Sequence, residues 1–178
     1  MLVICDIDGT VANNDHRAHL VEPEDGSRPT DEMWAKFMAP ELIVQDTPIP
    51  GAYSTLSNLI EHNENLQLVW LTGRGGTLHE PTFQWLAKHF PDLMPHSFLI
   101  TRPEEHEHTK AVVYKTAMIE KLMENIVWKT QTKLAFDDDR YLWPVYKKYG
   151  MLALRAPHCW EHLYPESGEL LPEDSWRR

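Results

Sequence analysis

Five short apolar runs, each ending on a cluster of polar or charged residues, constrain this chain more than any other feature. They occupy residues 2–5, 66–71, 98–101, 134–136 and 151–154, and they are apolar throughout rather than alternating. Strands of that composition are buried on both faces. The stretches between them carry helical spacing. Residues 52–62 put Leu56, Leu59 and Ile60 on one face, and residues 82–90 group Phe83, Leu86, Ala87 and Phe90, with Pro81 suited to a first turn. Residues 110–125 align Val112, Ile119, Leu122 and Met123. Residues 140–149 align Leu142, Val145, Tyr146 and Tyr149, and Gly150 suits the position just past a helix end. Strands alternating with helices predict an α/β fold, a doubly wound parallel sheet covered on both sides. In such a sheet ligands bind beyond the carboxyl ends of the strands.

One segment breaks the alternation. About forty residues part the first strand from the helix that opens near Gly51, and loops beyond about 15 residues usually carry structure or function of their own. Residues 11–50 therefore read as a flap or small cap inserted after the first strand, with Thr30 capping a short helix through Met33, Trp34, Phe37 and Met38. Residues 1–155 read as one core unit. Residues 156–178, with three prolines and five acids, read as an irregular acidic extension. The sequence contains no repeat, and no apolar run approaches the ~20 residues that span a bilayer. Its start lacks the basic region of a signal peptide. Two cysteines, Cys5 and Cys159, exclude a disulfide scaffold and favour a reducing, cytoplasmic setting. Acids outnumber bases 27 to 17, a net charge of −10, so tight binding of duplex nucleic acid is not expected.

The segments directly behind the strands are chemically loaded. Asp6-Ile7-Asp8-Gly9-Thr10 stands after the first, Thr72-Gly73-Arg74-Gly75-Gly76 after the second, and Asp137-Asp138-Asp139-Arg140 after the fourth. A parallel sheet would bring all three to one edge. Five carboxylates in a small volume raise one another's pKa or require a cation. Hard oxygen ligands favour Mg²⁺, which needs only a few carboxylates.

This constellation resembles the haloacid dehalogenase (HAD) superfamily of phosphotransferases at each of its four motifs. Asp6-Ile7-Asp8-Gly9-Thr10 matches the first (DxDGT), Thr72 the second, a lysine in the helix before the fourth strand the third, and Asp137-Asp138 the fourth. The resemblance spans residues 1 to 155 and implies a Rossmann-like core. It implies that Asp6 attacks phosphorus and becomes an aspartyl-phosphate, and that Asp8 acts as general acid and base. It further implies that Asp6, the Asp8 carbonyl, Asp137 and Asp138 surround Mg²⁺. Thr72 and the lysine would bind phosphate oxygens, with Gly9, Thr10 and Gly73 close by. Lys115, after Val112-Val113-Tyr114, is the preferred lysine and Lys110 the alternative. An acid at Asp8 marks the phosphatases of the superfamily, so the reaction implied is hydrolysis of a phosphomonoester, with a phosphomutase as the other option.

Within the superfamily, the segment from Thr72-Gly73-Arg74 through Trp85, followed by Thr101-Arg102 and then 134–140, is similar to the 3′-phosphatase domain of phage-type polynucleotide kinase-phosphatases. The insert at 11–50 and the extra aspartate of the fourth motif depart from that pattern. No kinase loop of the form GxxxxGK[ST] occurs. The likeness implies a nucleotide or a nucleic-acid end, in particular a 3′-phosphate, as substrate. Arg74 and Arg102 are candidates to hold a second phosphate or a sugar edge. His16, Arg17, Trp34 and Phe37 are candidates to stack on and hydrogen-bond a base, although a Trp and Phe at helical spacing also serve to pack an insert onto its core. His106 with His108, and His158 with Cys159 and His162, have spacings zinc could use but no completing pair. The alternatives are a phosphatase of free nucleoside monophosphates or other small esters, and a phosphate-binding module without turnover.

Overall fold

A computed structural model describes residues 1–23 and 26–156. The expected irregular extension, with Cys159 and the histidines beside it, lies outside the described residues except for Ala156. Five strands form one sheet: β1 (Leu2–Cys5), β4 (Gln67–Gly75), β5 (Ser97–Arg102), β6 (Lys133–Phe136) and β7 (Leu152–Leu154). Two short strands in the insert are β2 (Ala12–Asn13) and β3 (Thr47–Pro48). The large sheet runs β5-β4-β1-β6-β7, with every neighbouring pair parallel. The chain winds from β1 towards β4 and β5, then returns to the other side for β6 and β7. The winding therefore reverses at β1, and in sheets of this kind ligands bind beyond the carboxyl ends of the strands at such a point.

Every side chain of β1 is buried, and successive ones enter opposite cores, as a doubly covered strand requires. Val3 and Cys5 join Leu56, Trp70, Trp85, Leu86 and Phe90 in one core, beneath α4 (Ala52–Glu61) and α5 (His79–His89). Leu2 and Ile4 join Val69, Leu71, Tyr114, Ile119 and Tyr146 in the other, beneath α6 (Ala111–Leu122) and α8 (Trp143–Lys148). Each large apolar side chain so buried contributes about 1.5–3 kcal/mol relative to exposure.

The remaining helices are α1 (Asp15–Ala18), α2 (Asp31–Phe37), α3 (Pro40–Ile43) and α7 (Ile126–Thr130). Local chemistry sets the boundaries. Thr30 Oγ1 accepts from Met33 N–H and starts α2, as its place before an apolar face predicts. The stretch expected as one helix over 110–125 ends at Leu122. Asn125 then caps a separate α7 through a bond from Val127 N–H, an element the periodicity did not announce. The stretch 140–149 opens as a 3₁₀ turn (Arg140–Leu142) before α8, where Pro144 sits in the first turn. Gly150, at φ 67°, closes α8 in a left-handed conformation while Met151 N–H reaches back to the Tyr146 carbonyl.

The second strand continues four residues beyond its apolar run. Thr72-Gly73-Arg74-Gly75 stays in the sheet, with an irregularity between Leu71 and Gly75 that lets Gly75 pair with Arg102. The insert is closed at its neck by β2 and β3, paired antiparallel. No helix among the described residues is long and apolar enough to cross a membrane.

Candidate active site

The carboxyl ends of β1, β4 and β6 place three of the expected segments side by side. Cys5 pairs with Trp70 on one side and Phe136 on the other, so Asp6 and Asp137 emerge together, and Thr72 lies two residues past Trp70 on the adjoining strand. The first loop is tight: the Ile7 carbonyl accepts from the N–H groups of Thr10, Val11 and Ala12. Gly9 turns it with φ 74°, a conformation open chiefly to glycine. Thr10 is buried, and its hydroxyl has no hydrogen-bond partner among the described residues.

One side of this edge carries a carboxylate cluster. Asp6, Asp137 and Asp138 each offer an oxygen within 4.8 Å of the others. Lys115 reaches in from α6, its Nζ 2.7 Å from Asp6 Oδ1 and 3.3 Å from Asp137 Oδ2. Asp137 also accepts from the Tyr146 hydroxyl at 2.8 Å and from Asp139 N–H at 2.9 Å. Burial, together with the Asp137 charge, raises the Asp6 pKa, and the nearby ammonium of Lys115 offsets this only in part. Burial and the Asp137 charge likewise push Asp138 up to about 7. For Lys115, burial works against the charge, but Asp137 and Asp6 outweigh it and the pKa rises. Two buried carboxylates and a half-buried third against one ammonium leave negative charge uncompensated in a donor set made wholly of oxygen. That set fits Mg²⁺.

Lys115, not Lys110, stands in the cluster; Lys110 is exposed where α6 begins. Asp139 is a cap, its carboxylate accepting from Tyr141 N–H. Thr72 is fully buried within β4, and its hydroxyl accepts from Arg74 N–H at 3.2 Å. A Cβ on Gly73 would lie 2.9 Å from the Ala111 Cβ, so glycine is what lets α6 approach.

The carboxylate of Asp8 belongs to a second cluster. Arg74 donates through Nε to Asp8 Oδ2 at 2.9 Å and through Nη2 to Oδ1 at 2.8 Å, while Arg17 Nη2 donates to Oδ1 at 2.7 Å. Both guanidiniums also donate to Asp46: Arg17 through Nε and Nη2 at 2.8 and 2.7 Å, Arg74 through Nη2 at 2.9 Å. Burial works to raise the Asp8 pKa, but Arg74 and then Arg17 outweigh it, and the carboxyl sits well below the usual range. This corrects two expectations. Arg74 is fully buried and its donors are committed to Asp8, Asp46 and Thr82, so it is not free for a second phosphate. Arg17 is also fully buried, packed 4.1 Å over the Phe37 ring, and Phe37 itself is core, so neither presents a face to a base. Trp34 is 42% exposed and touches Phe37 edge-on. His16 is exposed near the Leu42 carbonyl. Arg102 is partly buried and donates to the Thr109 carbonyl. Asp46 carried no signal in the sequence, where it looks like one more surface acid.

A parallel five-stranded sheet of order β5-β4-β1-β6-β7, whose winding reverses at β1, is the HAD-like fold. Solved structures of that fold share it with this chain. One is a chain in the structure of the Pnkp1/Rnl/Hen1 complex, at 18% identity and TM-score 0.54, matching 87% of this chain and 44% of that one. Another is L-2-haloacid dehalogenase from Xanthobacter autotrophicus, at 14% identity and TM-score 0.55, matching 99% and 86%. A third is a HAD family enzyme from Bacteroides thetaiotaomicron in complex with magnesium, at 13% identity and TM-score 0.51, matching 92% and 98%. This chain thus spans less than half the length of the first of these. No family model matches the sequence, and no curated protein matches it.

Proposed function

We propose that this chain is a Mg²⁺-dependent phosphomonoester hydrolase acting through an aspartyl-phosphate on Asp6. The observation that carries the reading is the grouping of Asp6, Asp137 and Asp138 within 4.8 Å, with the Lys115 ammonium 2.7 Å from Asp6. The Lys115 charge holds Asp6 for in-line attack and neutralises phosphate oxygens. In the first step an Asp6 oxygen bonds to phosphorus while the ester P–O bond breaks, and the departing oxygen takes a proton from Asp8. In the second, water bonds to phosphorus, the Asp6 carboxylate leaves, and Asp8 takes the proton back. Asp8, ionised between its two arginines, is poised as the base of the second step. For the first step Asp8 must carry a proton: an arriving phosphate dianion raises its proton affinity, and the proton is taken up from solvent as the substrate binds. Mg²⁺, held by Asp6, Asp137, Asp138 and the Asp8 carbonyl, would supply charge neutralisation between phosphate and carboxylates.

The substrate we infer is a nucleotide or a nucleic-acid terminal phosphate, in particular a 3′-phosphate. The likeness of the segments around Thr72, Thr101-Arg102 and Asp137 supports this, as does the shared fold with a chain of the Pnkp1/Rnl/Hen1 complex. Two observations favour free mononucleotides or other small esters instead. Arg74 and Arg17 are spent inside the protein, and the net charge of −10 disfavours a polyanion. Phosphate release from a 3′-phosphorylated oligonucleotide, from mononucleotides and from p-nitrophenyl phosphate, each with Mg²⁺ and with EDTA, separates these readings. Metal-dependent release that vanishes in Asp6→Asn is expected; release by that variant at the parent's rate would refute the nucleophile.

A further inference from the structure

Four charged side chains, two of each sign, meet away from the carboxylate cluster, and they differ sharply in what reaches them. The side chains of Arg17, Arg74 and Asp46 have no solvent exposure, whereas that of Asp8 has 19%. The three buried groups form a holder, and Asp8 is the one member presented to the outside. We propose that Asp46 is a positioning residue for Asp8, acting through Arg17 and Arg74. The proposal rests on the reading of Asp8 as the acid–base group.

The two arginines divide their donors unequally between the two carboxylates. Arg17 sends Nε and one bond of Nη2 to Asp46, Nη1 to the Phe37 carbonyl, and a single Nη2 bond to Asp8. Arg74 divides its Nη2 between the two carboxylates. With Asp46 in place, Asp8 Oδ1 accepts two N–H groups and Oδ2 only one, which leaves Oδ2 a lone pair for proton transfer. Without its charge, two buried guanidiniums face one carboxylate, and their released donors turn on Asp8. Asp46 is itself pinned. It lies one residue before β3, its N–H bonds to the Ile43 carbonyl, and its own carbonyl accepts from Trp85 Nε1 at 2.7 Å. The insert therefore reaches the catalytic loop through Arg17 directly and through Asp46 behind it, and the insert's closure at the β2–β3 neck fixes where that carboxylate sits.

A group that acts through the general acid betrays itself in the leaving group. Expulsion of an alkoxide from a nucleoside monophosphate needs a proton, whereas p-nitrophenolate leaves with little help. In Asp46→Asn, single-turnover release with Mg²⁺ should fall about 10–100-fold for a nucleoside 3′-monophosphate, within the range acid–base catalysis contributes, with KM moved less than about twofold. Release of p-nitrophenolate should change less than about threefold. Trp85→Phe removes the bond to the Asp46 carbonyl and keeps all four charges. It should show the same bias at smaller size, and it answers the question if Asp46→Asn does not fold. An equal loss on both esters, or none, in a folded variant overturns the role of Asp46 while leaving the phosphatase reading intact. A parent protein that turns over neither ester overturns both.

Discussion

Asp6 is held where a carboxylate is least comfortable. It is buried beside Asp137, and burial dominates, so its proton is bound more tightly in the folded chain than in the unfolded one. Below about pH 4 both states are protonated and nothing is lost. Above it the unfolded chain releases the proton first, so the folded state loses stability as pH rises towards the folded-state pKa. Asp6→Asn mimics the neutral form. In EDTA the variant should melt higher than the parent, by a margin that grows as pH rises above about 4. With Mg²⁺ added the order should reverse if, as proposed, Asp6 is a ligand that the variant has lost. Thermal melts at three pH values check this, and a variant that melts lower in EDTA at pH 7 would contradict it. The residues of this cluster were legible in the sequence because each stands directly behind a strand. Lys115 was separable from Lys110 only by where α6 turns its side chains. Asp46 and the burial of Arg17 and Arg74 were not legible at all, since a charge inside the protein and one on its surface are the same letter until the partner of opposite sign is placed.

At the level of elements, the approach of α6 to β4 decides whether Lys115 reaches Asp6. That approach rests on Gly73, where an added Cβ would stand 2.9 Å from the Ala111 Cβ, a contact that real side chains do not tolerate. Gly73→Ala should therefore push the first turn of α6 outward. A cost of about 1–3 kcal/mol is typical of such overpacking. Phosphatase activity should fall by more than stability alone explains, as Lys115 is drawn away from its 2.7 Å contact. Ala111→Gly in the same chain removes the clashing methyl and should restore most of the activity, although a helix glycine costs about 1 kcal/mol of its own. Denaturant titration and turnover of the two single variants and the double one form the test, and strict additivity would show that the methyl groups do not meet. The five strands and four of the helices could be read from periodicity, because burial on two faces writes itself into runs and stripes. The β2–β3 neck and α7 could not. Two-residue strands carry no period, and α7 depends on the Asn125 cap more than on an apolar face.

For the molecule as a whole, the site and the surface pull in opposite directions. On the proposed reading the carboxylate cluster and its lysine receive a phosphate dianion, yet the chain that carries them has a net charge of −10. A mononucleotide brings about two negative charges, and most of its interaction is with the cluster itself, at distances that salt screens little. An oligonucleotide brings one charge per residue, and those beyond the terminal phosphate meet the field of the whole protein. Screening shortens that field to about 10 Å at 0.1 M salt. If the substrate is a nucleic-acid end, kcat/KM on a 3′-phosphorylated ten-residue oligonucleotide should therefore rise as monovalent salt increases from about 0.02 to 0.2 M, while kcat/KM on a nucleoside 3′-monophosphate changes less. This is the reverse of a protein that grips its nucleic acid through arrayed lysines and arginines, for which counterion release makes binding fall steeply over the same range. A steep fall on the oligonucleotide would mean that some face of this acidic chain gathers enough basic residues to track a phosphate backbone. Arg17 and Arg74 are excluded from that role by their burial, so the face would have to be sought among the lysines and the remaining arginines.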